Sequence, residues 1–308
     1  MLIGNRLHIV NGDEIMKKVA VIGSISTDFV VTTKIIPNQG ETLVGESFQT
    51  FFGGKGANQA IALSRSGLDV SMIGAVGKDV FGQALIDNLK ENGINTDMIQ
   101  TVDTAESGSA HIQVMDGDNR IIIIPGANDR LSIDVVKQYQ QQLQQMEMVI
   151  LQNEIPVETI EYIIDFCATQ RIQVLYNPAP AKEISEEYIE KVTYLTPNEH
   201  EAVLLFGNKE RAEVLRNYPN KLIITLGDQG ATFFDGEAEV IVPAQKVATV
   251  IDTTGAGDTF NGYFAKGILE GLTIAESLKL GNAASAIAIQ TKGAQNGIPM
   301  YEKVVASL

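Results

Sequence analysis

Ile251-Asp252-Thr253-Thr254-Gly255-Ala256-Gly257-Asp258-Thr259-Phe260 is the most telling stretch of this 308-residue chain. Its two glycines let the backbone turn tightly and approach a ligand closely. A helical pattern follows at once, with Phe260, Phe264 and Ile268 recurring every four residues. A glycine turn opening a helix offers unpaired N–H groups and the positive end of the helix dipole to an anion such as phosphate. Asp258 stands at that helix start, where a carboxylate gains nothing from a neighbouring bound anion. It is either an N-cap or a general base that takes a proton while the N–H groups hold a phosphoryl group.

Outward from this stretch, short apolar runs alternate with helical segments. Strands are expected at 19–23, 70–75, 148–151, 172–176, 194–196 and 222–226. Helices are expected at 56–66, 79–92, after Ser132, from Pro156, near Asn198, at 257–270 and at 274–290. Gly67 and Gly93 close the first two helices. Strands apolar on both faces and alternating with helices predict an α/β fold: a mostly parallel sheet covered by helices on both sides. Two segments break the rhythm. Glu41 to Phe52 alternates like an exposed strand pair, and Ser109 to Ile124 reads as a hairpin turning at Asp116-Gly117-Asp118-Asn119. Ile121 to Ile124 have no helix in sequence to cover them, so they need another sheet or another subunit. Together these segments, about 28–52 and 106–125, read as a small antiparallel lid able to pair two chains.

Composition narrows the function. With 44% hydrophobic residues the chain can build a large core, and residues 16–308 are expected to form one domain. Residues 1–15 carry one basic residue and no long apolar run, so they read as a leader or alternative start outside the fold rather than a signal peptide. The net charge of −15 disfavours nucleic acid and anionic membranes as partners. No apolar run is long enough for a membrane span. A single cysteine, Cys167, rules out a disulfide framework and suits the cytoplasm. His8, His111 and His200 are scattered, without metal-ligand spacing.

Further candidates fall near expected strand ends, where open α/β sheets bind ligands. Gly53-Gly54-Lys55-Gly56-Ala57-Asn58-Gln59 opens a helix and could hold a hydroxyl-rich ligand through backbone N–H groups, Lys55 and the Asn58 amide. Asp28 follows the first strand and Glu154 the strand at 148–151. Asn198 with Glu201 is a capping box, or a pair in which Asn198 meets a phosphate and Glu201 holds Mg²⁺ through water. Thr225-Leu226-Gly227-Asp228-Gln229-Gly230 reads as a hairpin-like turn that could flank a nucleotide. Independent capping accidents would not gather along one edge of a sheet.

With these motifs the chain resembles the ribokinase (pfkB-type) family of carbohydrate kinases. Gly53 to Ala60, Asn198 to Glu201 and Asp252 to Gly262 carry the resemblance, and it runs from about Lys18 to the C-terminus. Asn177-Pro178-Ala179-Pro180-Ala181 and Lys292-Gly293-Ala294-Gln295 point to its ribose-phosphorylating members. The resemblance implies a three-layer sandwich with a β lid, often the dimer contact. It also implies ATP-dependent phosphorylation of the 5-hydroxyl of D-ribose. Asp258 would be the base and the Gly255-Ala256-Gly257 backbone the anion hole. Ser26, Asp28, Gly54, Lys55, Gly56, Asn58 and Glu154 would hold the sugar. Asn198, Thr225, Leu226, Gly227, Gly230, Gly257 and Asn282 would line the ATP site, and Glu201 would support Mg²⁺. A monovalent cation, usually K⁺, would lie by Asp252 and Thr254 and the carbonyls of Ala288, Thr291 and Gly293. Two positions depart from the family: Ser26 replaces the usual asparagine, and Gly297 replaces a serine that often joins the cation site. Ser26 keeps a second reading open, a kinase for 2-deoxyribose, a nucleoside or another sugar. A non-catalytic sugar- or nucleotide-binding protein would have no need of Asp258. A dehydrogenase would need a G-x-G-x-x-G fingerprint that the first strand lacks.

Overall fold

The computed structural model describes residues 16–115 and 118–308. The segment 1–15 expected as a leader, and Asp116 and Gly117 of the expected hairpin turn, lie outside the described residues. In chain order the strands are β1 (Lys18–Ile22), β2 (Ser26–Thr32), β3 (Ser47–Gly53), β4 (Asp69–Gly77), β5 (Asn95–Val102), β6 (Gly108–Met115), β7 (Asp118–Ile124), β8 (Met148–Leu151), β9 (Gln173–Tyr176), β10 (Tyr194–Leu195), β11 (Ile223–Thr225), β12 (Ala231–Phe234) and β13 (Glu239–Val242). The helices are α1 (Lys55–Arg65), α2 (Val80–Glu91), α3 (Ile133–Lys137), α4 (Gln140–Leu143), α5 (Val157–Gln170), α6 (Glu186–Lys191), α7 (Glu199–Phe206), α8 (Arg211–Asn217), α9 (Ala256–Leu269), α10 (Ile274–Ala288) and α11 (Tyr301–Val305).

Six strands form a parallel central sheet in the order β10-β9-β8-β1-β4-β5. Alternation along each strand separates two cores. Ala20, Ile22, Val149 and Leu151 point to one face, where Ile160, Ile163 and Cys167 of α5 cover them. Val19, Val21, Met148 and Ile150 point to the other, against Ile61 of α1 and Phe260 and Phe264 of α9. A strand buried on both faces explains why β1 and β8 read as unbroken apolar runs. Bridges from Leu195 to Leu222 and from Asn198 to Thr225 continue the sheet into the antiparallel sheet β11-β12-β13.

The lid is a four-stranded sheet in the order β3-β2-β6-β7. It corrects the sequence reading in three ways. Its middle pair, β2 and β6, is parallel rather than antiparallel. Both strands follow parallel strands of the central sheet, β1 and β5, and enter the lid in the same direction. Of the expected 41–52 strand pair only residues 47–52 are strand, within β3; the preceding segment turns at Asn38, whose N–H and amide both bond Glu41. Asp28 is not at a strand's C-terminal end but the third residue of β2. The glutamine-rich helix after Ser132 is likewise broken into α3 and α4. On the lid, Ile121, Ile122, Ile123 and Ile124 remain 50, 66, 48 and 49% exposed, so no other part of the described chain covers them.

Candidate functional site

α9 begins where the sequence places it. Gly255 is its N-cap, with φ of 77°. A Cβ there would stand 2.8 Å from the Ala294 carbonyl, so both the conformation and the packing call for glycine. The Ala256 N–H already donates to the Thr253 carbonyl at 3.2 Å. The first-turn donors left to face an anion are therefore those of Gly257 and Asp258. The turn is braced from behind: Ser285 Oγ donates to the Ala256 carbonyl at 2.8 Å, and Asn261 Nδ2 to the Gly257 carbonyl at 2.9 Å. Thr196 Oγ1 fixes Asn261 in turn at 2.6 Å.

Asp258 is the third helical residue, not the cap, and its side chain makes no capping bond. It is buried, and its two oxygens accept one amide N–H each, from Asn58 Nδ2 and Gln59 Nε2, both at 2.9 Å. The N-cap alternative is thereby excluded. Asn58 comes from α1, whose N-cap Gly54 has φ of 90°. A Cβ on Gly54 would sit 2.8–2.9 Å from Ser24 and Ile25 backbone atoms and the Ser26 nitrogen, so the glycine lets α1 start against the β1–β2 connection. Gly56 packs on the same backbone.

Glu154, just beyond β8, accepts from Ser24 Oγ and from the Lys55 N–H, the latter at 3.0 Å. Asp28 leans over Gly53 from the lid. Burial pushes its carboxyl up, and the carboxylates of Glu154, Asp258 and Asp252 push it further, to about 7, against the pull of Lys55. Burial draws the Lys55 ammonium down, but Asp258, Glu154, Glu201 and Asp28 outweigh it, and the net direction is up. The cluster thus joins residues from β2, α1, the β8 end and α9 around a single lysine. Ser26 is buried at the start of β2, opposite Gly53 and Gly108.

On the adjoining side Asn198 caps α7. Its side chain accepts from the Glu201 N–H and Glu201 accepts from the Asn198 N–H, both at 2.8 Å, so the capping box is real. Burial raises the Glu201 carboxyl, while the Asn198 N–H and Lys55 partly oppose it. Gly227 (φ 59°) opens a short 3₁₀ turn and Gly230 (φ 103°) closes it against the Val242 carbonyl, as a hairpin-like turn requires. Thr225 ends β11 beside Asn198. The Leu226 side chain belongs to the core and its N–H bonds the Gly230 carbonyl at 2.7 Å, so Leu226 shapes the turn rather than presenting a side chain. Asn282 donates to the carbonyls of Val242 and Pro243 at 3.0 and 3.1 Å, pinning α10 to the end of β13.

The expected cation loops lie side by side. Asp252 accepts from the Thr254 N–H at 2.9 Å and from the Gly293 N–H at 2.8 Å. Burial pushes the Asp252 carboxyl up, but these bonds and the Lys292 charge win, and it is held low. The Ile251 and Asp252 N–H groups share the Ile289 carbonyl, and the Thr291 N–H bonds that of Ala288. Carboxylate and carbonyl oxygens are hard donors of the kind a monovalent cation takes, and these bonds bring the Asp252 loop against the 288–293 loop that carries the expected carbonyls. A Cβ at Gly297 would lie 2.2 Å from the Ala288 carbonyl, so a serine there would not fit this backbone. Among the described residues, no group of three His, Cys, Asp or Glu side chains could hold a metal ion, and no helix is long and apolar enough to cross a membrane.

Sequence reasoning gave no role to Ser24, Gln59, Gln152 or Gln295. Gln59 carried one signal: with Asn58 it makes a pair of amides inside a run of small and apolar residues, Gly56-Ala57 before the pair and Ala60-Ile61-Ala62 after it.

The sequence pattern of the pfkB family carbohydrate kinases matches residues 16–300. The chain is 51% identical to a ribokinase of Lactococcus lactis subsp. lactis over 95% of its own length and 97% of that protein's. It is 45% identical to a ribokinase of Bacillus subtilis over 94% and 98% of the two lengths. The fold superposes on Arabidopsis thaliana ribokinase, solved with ribose and ATP, with a TM-score of 0.86 at 29% identity, covering 95% of this chain and 99% of that one. The buried Asp258 beside a glycine-opened helix N-terminus, a four-stranded lid over a parallel sheet and these likenesses agree: the chain belongs to the pfkB family of carbohydrate kinases.

Proposed function

We propose that this kinase transfers the γ-phosphoryl group of ATP to the 5-hydroxyl of D-ribose, giving ribose 5-phosphate and ADP. The observation that carries the reading is Asp258, buried, not capping, and placed beside the first-turn N–H groups of α9. Similarity to named ribokinases over nearly the whole chain supports the substrate class, and the ribose and ATP in the Arabidopsis structure support the pair of ligands.

In this mechanism Asp258 takes the proton of the sugar hydroxyl as the phosphoryl group is transferred in line. The Gly257 and Asp258 N–H groups receive charge on the transferred phosphoryl oxygens. Asp28, Asn58 and Glu154 orient the sugar hydroxyls, with Lys55 and the Gly54–Gly56 backbone beside them. Thr225, the Gly227–Gly230 turn, Asn198 and Asn282 border the nucleotide. Lys55 faces Asp28, Glu154, Asp258 and Glu201, so bound ATP would add negative charge to an acidic site. Mg²⁺ supported from Glu201, and K⁺ held by Asp252, Thr254, Ala288, Thr291 and Gly293, would neutralise that charge when bound. Residues 16–308 act as one catalytic unit, and the exposed isoleucine face of the lid pairs with a second copy. The single buried cysteine suits a cytoplasmic setting.

ADP release from Mg·ATP with ribose, 2-deoxyribose, nucleosides and fructose 6-phosphate tests the reading. Turnover fastest on ribose supports it. Ser26 favours a second reading: its side chain is shorter than an asparagine, and losing one neutral hydrogen bond to ribose costs about 1 kcal/mol. Fastest turnover on 2-deoxyribose or a nucleoside would move the specificity to that alcohol and leave the chemistry in place.

A further inference from the structure

Each oxygen of Asp258 ends a directed chain of side-chain amides, all buried except the half-buried Asn88 at the outer end of one chain. On one side Gln152 Nε2 donates to Gln59 Oε1 at 2.7 Å, and Gln59 Nε2 donates to Asp258 Oδ1 at 2.9 Å. On the other, Asn88 Nδ2 donates to Gln295 Oε1 at 2.8 Å, Gln295 Nε2 to Asn58 Oδ1 at 3.0 Å, and Asn58 Nδ2 to Asp258 Oδ2 at 2.9 Å.

The chemistry of the end points fixes the direction of these amides. A carboxylate base only accepts, so Gln59 and Asn58 must turn their N–H groups to Asp258 and their carbonyls away. Those carbonyls then need donors, which Gln152 and Gln295 supply. An independent end point agrees. Asn177 Nδ2 donates to the Thr196 backbone carbonyl at 3.0 Å, another pure acceptor, so Asn177 Oδ1 faces Gln59 and takes its second N–H at 3.1 Å. Gln59 and Gln152 are 0% exposed, and burying such amides is costly unless they are paired. Each bond in a directed chain also strengthens the next.

We propose that Gln59 is a positioning residue for phosphoryl transfer, holding the Asp258 carboxylate in the orientation that receives the hydroxyl proton, and that Gln295 acts likewise one step further out, through Asn58. The proposal rests on Asp258 as the base. The two residues leave different signatures. The Gln59 side chain bonds the base, Asn177 and Gln152 but none of the side chains of Asp28, Lys55, Asn58 and Glu154 assigned to the sugar, so its loss lowers kcat and spares ribose affinity. Gln295 acts on Asn58, which serves base and sugar alike, so its loss lowers kcat and weakens ribose binding together.

The test measures kcat by ADP release, ribose Kd by calorimetry without nucleotide, and the thermal midpoint, for Gln59→Met, Gln59→Glu and Gln295→Met. Gln59→Met should lower kcat roughly 10-fold with Kd within about 2-fold of wild type. Gln59→Glu should lower kcat further, on the order of 100-fold, because it sets a carboxylate oxygen against Asp258 where an N–H belongs. Gln295→Met should lower kcat and raise Kd, each roughly 10-fold. Gln152→Met, one bond further from the base, should show the Gln59 signature at smaller size, and it carries the test if the Gln59 variants do not fold. Variants at wild-type kcat, or Gln59 variants that lose ribose affinity in proportion to kcat, overturn the proposal. Asp258→Asn separates the two levels. Inactive Asp258→Asn with Gln59→Met at wild-type kcat sinks this proposal alone, whereas active Asp258→Asn sinks the base assignment beneath it.

Discussion

Asn58 and Asp258, 200 positions apart in the chain, share a buried 2.9 Å hydrogen bond that joins the start of α1 to the start of α9. The same Asn58 amide accepts from Gln295 on its other side. Asn58→Leu keeps the volume and removes both bonds, leaving a buried donor and a buried acceptor without partners. The expected loss is roughly 1–3 kcal/mol of folding stability, with a higher ribose KM. Chemical denaturation beside steady-state kinetics checks this; unchanged stability and KM would show that the bond joins nothing of consequence.

Asp28 supplies a pH prediction. Its folded carboxyl titrates near pH 7, far above the ordinary value of 3.8. Below that ordinary value it is protonated in folded and unfolded chains alike and costs nothing. As pH rises from about 4 to about 7 the unfolded chain releases a proton that the folded chain keeps, so stability falls, and the cost is complete above about pH 7. Asp28→Asn should flatten that fall, so that its thermal midpoint gains on wild type as pH goes from 5 to 8. A constant difference between the two across that range would contradict the assignment. Because an ionised carboxylate accepts more sugar hydroxyls, ribose should bind tighter through the same window in wild type and not in Asp28→Asn.

Gly54 cannot be exchanged cheaply. At φ of 90°, with backbone atoms of residues 24–26 within 2.9 Å of any added Cβ, alanine meets both strain and collision. Gly54→Ala should cost on the order of 1–3 kcal/mol and displace Lys55 and Asn58. Gly207→Ala is the control: it also has positive φ (74°) but open space around it. Equal activity losses in the two would show that strain alone, not the close approach to Ser24, governs the site.

The lid face yields a prediction about association. Ile122 is 66% exposed beside three half-exposed isoleucines. Ile122→Lys should shift sedimentation from dimer toward monomer at unchanged thermal midpoint. A wild-type chain that sediments as a monomer at micromolar concentration would refute the pairing.

What the sequence disclosed was local. The Gly255–Asp258 turn, α9 and the Asn198–Glu201 box are each set by residues within a few positions, so spacing and capping rules reach them. The uncovered Ile121–Ile124 run was legible because four adjacent isoleucines cannot all face one core. β2 stayed hidden because the polar Ser26-Thr27-Asp28 shows no apolar strand pattern, and only pairing with β3 and β6 makes it a strand. β5 stayed hidden because Asn95, Thr96, Asp97 and Thr101 interrupt its apolar alternation. The parallel β2–β6 pairing depends on where two distant strands leave the central sheet, which no local pattern records. Gln59 and Gln295 stood inside recognised motifs, yet their partners lie 199 and 237 positions away, at Asp258 and Asn58.

The mechanism turns on Asp258 as the group that takes the proton. Its most direct test is ADP release from Mg·ATP and ribose by wild type and Asp258→Asn, with ribose binding measured on both. The mechanism predicts ribose turnover by wild type, a loss of about 10²-fold or more (the order expected for a removed general base) in the variant, and ribose affinity largely retained. Turnover by Asp258→Asn at the wild-type rate would contradict it.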